Sequence, residues 1–117
     1  MTINIDDLNE EQKKKLVNFN NLKQSLEFIS SQRIQFETTL RDAELAIEEL
    51  EKIESETPVY KAIGGILVKS EKNKLLDEKK SLKVTLEMRL KTLKQKEERV
   101  KTQLETMTKS LQADFQK

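Results

Sequence analysis

The one proline and both glycines of this 117-residue chain fall between positions 58 and 65, leaving 1–57 and 66–117 without either strong helix breaker. Around them, Pro58-Val59-Tyr60-Lys61-Ala62-Ile63-Gly64-Gly65-Ile66-Leu67-Val68-Lys69 is a run of β-branched and apolar residues split by the glycine pair. This pattern predicts a β-hairpin over 58–69 with a two-residue turn at Gly64-Gly65. A two-stranded hairpin is marginal alone in water, so this one implies partners.

The flanks are patterned as amphipathic helix. From about 6 to 55, apolar residues recur at alternating steps of three and four: Phe19, Leu22, Leu26, Ile29, then Phe36, Leu40, Ala43, Ile47 and Leu50, with Arg33 as the polar interruption. Asn4 or a neighbour is expected to cap this helix, Asp6 and Asp7 suit its positive end, and Pro58 ends it by excluding Thr57 from the α region. From about 70 to 115, with Ser70 as the expected N-cap, a second seam runs through Leu76, Lys79, Leu82, Leu86, Leu90 and Leu93. It continues through Glu97, Val100, Leu104, Met107 and Leu111. The four-four step across Leu82, Leu86 and Leu90 is a small phase slip.

Folding at the hairpin pairs seam positions whose numbers add to about 126, from Leu50 with Leu76 to Phe19 with Met107. That agreement holds for roughly nine turns and predicts an antiparallel intramolecular coiled coil. The fold class is therefore mainly α: two long helices around a central β-hairpin, one domain over 1–117. At ~1.5 Å per residue the arms extend about 65–75 Å and bring both termini to the end opposite the hairpin.

Composition agrees with a narrow seam better than with a wide core. Charged residues make up 37% and hydrophobic residues 35%, with no tryptophan, one tyrosine and four phenylalanines. Disorder is the competing reading, and helical periodicity argues against it. The net charge of +1 gives no global field toward nucleic acid or membrane. The basic run from Lys79 to Lys101 lies, in the antiparallel register, near the acidic run from Glu37 to Glu54, and no aromatic residues interleave for base stacking. With no cysteine, no apolar leader over 1–20 and no run of ~20 apolar residues, the expectation is a soluble, cytoplasmic protein.

Chemistry is not in prospect. Histidine and cysteine are absent, and no GxxxxGK[ST] loop accompanies Gly64-Gly65, so neither an enzyme nor a cofactor or metal site is expected. Three features remain. Arg33 and Glu97 both sit on the seam, either as a contact that fixes register or as side chains that reach out to solvent. Leu16, Val17, Phe19, Met107, Leu111 and Phe115 cluster at the terminal end beside Leu8, either finishing the seam or leaving apolar surface for a partner. In the hairpin, Ile63, Ile66 and Val68 share one face while Ala62 and Leu67 share the other, and both strand edges are open. Edges of this kind invite pairing with further chains into a sheet or barrel.

Helix, then Tyr60-Lys61-x-Ile63-Gly64-x-Ile66-Leu67-Val68-Lys69, then a helix reading Leu86-Glu87-x-x-Leu90-x-x-Leu93-x-x-x-Glu97, closely resembles the β-type prefoldin subunits over nearly the whole chain. One hairpin matches the β type, since α-type subunits carry two, and Gly65 stands where the family commonly has a bulkier residue. The resemblance implies a hexamer of two α-type and four β-type subunits on a double β-barrel platform. It also implies capture of unfolded polypeptides at the arm tips without ATP and delivery to a cytosolic-type chaperonin. Carried over, Val59, Tyr60, Ile63, Ile66, Leu67 and Val68 become assembly contacts with the α-type partner and with other copies. Leu16, Val17, Phe19, Met107, Leu111 and Phe115 become client contacts. The alternative is a structural adaptor joining fixed protein partners through the same end, and a nucleic-acid-binding coiled coil stands behind it.

Overall fold

A computed structural model describes residues 8–116. Helix α1 spans Glu10–Lys52, strand β1 Val59–Ile63, strand β2 Ile66–Ser70 and helix α2 Lys72–Phe115. The chain divides into two compact units. Residues up to Arg33 and from Leu93 onward form the terminal unit; Ile34–Thr92 form the hairpin unit.

In the hairpin unit, β1 and β2 pair antiparallel with Ile63 opposite Ile66, Ala62 opposite Leu67, Lys61 opposite Val68 and Tyr60 opposite Lys69. Gly64 and Gly65 have φ of 53° and 85°. Positive φ at both turn residues is the I′ geometry whose twist matches the flanking strands, and it explains the glycine pair. The space around both glycines is open, so backbone conformation alone requires them. Ala43, Leu75, Leu86 and Leu90 are the buried residues of this unit. In the terminal unit Leu93, Glu97 and Leu111 are buried. Every expected seam position, from Phe19 to Leu50 and from Leu76 to Leu111, is buried or half-buried.

Antiparallel order is visible inside each unit. In the terminal unit Lys15 meets Asp114 and Arg33 meets Glu97, both at 2.7 Å. In the hairpin unit Glu51 meets Lys80 at 3.5 Å, and the Lys72 ammonium donates to the Ile53 carbonyl at 2.6 Å. Of the expected acidic–basic pairing between helices, Glu51–Lys80 therefore forms. Lys52 instead reaches Glu48 and Glu49, and Lys83 reaches Glu87, each on its own helix. Such exposed pairs contribute about 0–1 kcal/mol each.

The helix ends differ from expectation in four places. Asn4, Asp6 and Asp7 lie outside the described residues, and the cap of α1 is Asn9. Its Oδ1 accepts from the Gln12 amide at 2.8 Å, while Gln12 Oε1 accepts from the Asn9 amide at 3.1 Å, a reciprocal capping box. At its other end α1 stops at Lys52, well short of Pro58, and the Thr57 amide closes a turn on the Glu54 carbonyl at 3.0 Å. Glu48, Glu49 and Glu51 lie in the last turn of α1, at the negative pole of the helix dipole, where carboxylates are unfavourable. Lys72 supplies the compensating cation at that end. Ser70 is not the cap of α2: pairing with Val59 holds it in the strand ladder, and Glu71 takes the cap position, its carbonyl accepting from the Leu75 amide at 3.0 Å. Finally, Leu75 is buried more deeply than Leu76. The strip runs Lys72, Leu75, Lys79, Leu82, Leu86, so the three-four spacing begins at a lysine whose head group bonds α1.

Candidate functional site

The hairpin presents side chains on both faces of a sheet that has two strands among the described residues. Val59, Lys61, Ile63, Ile66 and Val68 share one face by strand alternation; Tyr60, Ala62, Leu67 and Lys69 share the other. Val59 is half-buried, while Tyr60, Ile63, Ile66, Leu67 and Val68 are all exposed, Leu67 by 71%. Fully covering a side chain of this size is worth about 1.5–3 kcal/mol, so this surface leaves several such increments unrealised. A pair between Lys61 and Glu78 at 3.0 Å ties β1 to α2.

The second candidate surface lies in the terminal unit. Leu16, Phe19, Met107 and Phe115 are half-buried, Val17 is 58% exposed, and Leu111 is buried at 7%. Leu111 thus sits inside the seam and Val17 faces solvent, with the other four between these extremes. Lys15 and Asp114, polar residues at or beside seam positions, pair across the helices with both side chains about three-quarters shielded. The hydrogen bond to Asp114, larger than the opposing burial, holds the Lys15 ammonium above the ordinary lysine range.

Arg33 and Glu97 form the polar layer within the coil. Arg33 Nε donates to Glu97 Oε2 at 2.7 Å, Ser30 Oγ donates to the same oxygen at 3.2 Å, and Lys101 lies 3.4 Å from Oε1. The Glu97 side chain is only 10% exposed, so these donors substitute for water. The Arg33 hydrogen bond, opposed by burial and reinforced by Ser30, holds the Glu97 carboxyl below the usual range. Its stabilisation is therefore complete above the unfolded carboxyl pKa of about 4.3 and is lost as pH falls through the lower folded value. Thermal melts of Glu97→Gln against the parent should diverge at neutral pH and converge in acid; an unchanged gap at low pH contradicts this. Arg33→Leu alone should cost about 2–4 kcal/mol in denaturant melts by stripping the strongest partner from a buried carboxylate. Adding Glu97→Leu should restore most of that loss while admitting alternative pairings, seen as new cross-helix disulfides between engineered cysteines. A double-leucine variant that keeps one register removes the register-setting role.

Two clefts flank the seam of the terminal unit and were not anticipated from sequence. One, of about 650 Å³, has Leu22 and Met107 in its floor and Asn18, Asn21, Ser25, Gln103 and Thr106 around it. The other, of about 450 Å³, is floored by Phe19, Leu26 and Leu104 and rimmed by Lys23, Glu105 and Lys109. The signal for the first is a set of uncharged polar residues, Asn18, Asn21, Ser25, Gln103 and Thr106, on one side of the seam. Among the described residues no cluster of acidic side chains could hold a metal ion, and no helix is long and apolar enough to cross a membrane.

Two long helices, paired antiparallel within each unit and joined by an uncovered hairpin, define a hairpin-bridged two-helix coiled-coil protein. A family described as prefoldin subunit matches residues 13–117. The prefoldin subunit beta of Archaeoglobus fulgidus is 45% identical over 91 residues, covering 78% of this chain and 78% of that protein. That of Thermoplasma volcanium is 38% identical over 93 residues, covering 79% and 72%. The crystal structure of the prefoldin beta subunit from Thermococcus strain KS-1 matches with a TM-score of 0.79 at 27% identity, over 92% of this chain and 95% of that one. The chain belongs to the prefoldin family of chaperone subunits, among its β subunits.

Proposed function

We propose that the chain is an assembly-forming, ATP-independent holdase subunit that grips unfolded polypeptides through its terminal unit and hands them to a cytosolic-type chaperonin. The observation that carries this reading is the hairpin: apolar side chains on both faces and two edges unpaired among the described residues call for further strands. Hairpins of an α-type subunit and of other copies of this chain supply them, as two α and four β subunits closing a β-barrel platform in the cytoplasm. Client contact falls to Leu16, Val17, Phe19, Met107 and Phe115, with Leu111 as seam support. Several arms on one client raise the effective concentration, so each grip stays weak enough to release.

The test is light scattering from several unrelated denatured proteins diluted into buffer without nucleotide. The assembled complex should suppress aggregation of all of them near equimolar ratio. Suppression confined to one protein, or none, favours a structural adaptor with fixed partners. Hand-over is read separately, as transfer of labelled client to added chaperonin on a sizing column.

A further inference from the structure

The two clefts of the terminal unit lie in the same coil yet differ in chemistry. In a chain that is 37% charged, Lys15 is the one charged residue among the described residues lining the larger cleft, and it is already paired with Asp114 at 2.7 Å. Around the Leu22–Met107 floor stand side-chain amides and hydroxyls. Among the described residues Asn18, Asn21, Ser25 and Gln103 engage no hydrogen-bond partner, whereas Thr106 donates to the Thr102 carbonyl at 3.1 Å.

We infer that this cleft binds an uncharged, extended polypeptide segment, its apolar side chains on Leu22 and Met107 and its main-chain amides on Asn18, Asn21, Ser25 and Gln103. The inference rests on the capture function proposed above and assigns it a face and a ligand chemistry. A side-chain amide offers the same donor and acceptor as a peptide group, so it recognises backbone whatever the sequence. With the Lys15 charge held by Asp114, a charged segment finds no free counter-ion here and loses hydration without return. The opposite cleft carries three charges, Lys23, Glu105 and Lys109, beside a single side-chain amide, that of Gln112. From Lys15 to Ser25 the α1 wall rises about 15 Å, room for roughly five extended residues. So short a contact is weak and sequence-tolerant.

The experiment uses the assembled complex and two fluorescein-labelled twelve-residue peptides, one built of Val, Thr, Ser and Gln, the other with Glu or Lys at every third position. Fluorescence anisotropy should show the uncharged peptide binding at least tenfold tighter, with less than threefold change between 50 and 500 mM NaCl. Ser25→Glu with Thr106→Glu should weaken it at least tenfold. Thr108→Glu with Gln112→Glu, on the opposite cleft, should stay within threefold. Equal losses from both charged pairs, preference for the charged peptide, or an altered mass of the complex in the Ser25/Thr106 pair would each overturn the assignment, the last by making the cleft a contact between copies. If the charged cleft pair leaves client capture intact while removal of the terminal residues abolishes it, the cleft assignment fails and the capture reading stands. If that removal also leaves capture intact, the capture reading itself fails.

Discussion

Ile63→Glu combined with Ile66→Lys is expected to leave a folded chain that no longer assembles. Ile63 and Ile66 face each other beside the turn, both exposed, so neither substitution removes support from the chain's own core. In a shared barrel the same positions would be covered. Burying a charge there costs several kcal/mol, and each hairpin would carry two. A penalty of about 5 kcal/mol weakens association between three- and four-orders of magnitude, enough to dismantle a complex at micromolar concentration. The two new charges lie opposite one another and can pair, but in the apolar interior of a barrel that attraction does not repay the desolvation of both. Native mass spectrometry reads the result directly, with far-ultraviolet circular dichroism verifying that the helices persist. An intact complex would show that the hairpin is not the platform.

Deleting residues 1–15 and 108–117 is expected to abolish aggregation suppression while leaving the complex assembled. The deletion removes Leu111, Phe115 and the Lys15–Asp114 pair and leaves the hairpin unit untouched. Capture by several arms magnifies the effect: if each grip loses tenfold, a three-arm hold weakens by about a thousandfold. Shortened helices can also loosen, so a point variant separates surface from stability. Val17→Lys alters a side chain that is 58% exposed and should not change the melt, yet it should reduce suppression several-fold. Full activity in both variants would place capture elsewhere.

Most of the fold was legible because the features that specify it are local and repetitive. The hairpin register follows from one glycine pair, and the seam from a three-four spacing sustained along both helices. Element ends were less legible, since several weak preferences compete there. Asn9-x-x-Gln12 is a recognisable capping box, but in sequence Asn4 competes for the cap because it lies nearer the acidic pair Asp6 and Asp7. Ser70 has the right side chain for a cap, and strand pairing claims it instead. Pro58 marks the latest point at which α1 can end, and α1 stops at Lys52, just past Leu50, the last expected seam position before the hairpin. The surfaces divided similarly. The hairpin residues were found as apolar side chains and lie exposed, apart from half-buried Val59. In the terminal unit an apolar list could not separate buried Leu111 from exposed Val17, because helical phase near a chain end is set by cross-helix pairs such as Lys15 with Asp114. The larger cleft is not legible as an apolar pattern, because uncharged polar residues from two helices far apart in sequence form most of it.

The central claim is that the hairpin unit assembles and the terminal unit captures. Photo-crosslinking from single benzoylphenylalanine residues tests it most directly, with the probe at 17 or at 67 and, as a control on an exposed helix position, at 88. Irradiation of the complex loaded with labelled unfolded protein should give client adducts from 17, subunit–subunit adducts from 67 and few adducts from 88. Client adducts from 67, or subunit adducts from 17 with no client, would contradict it.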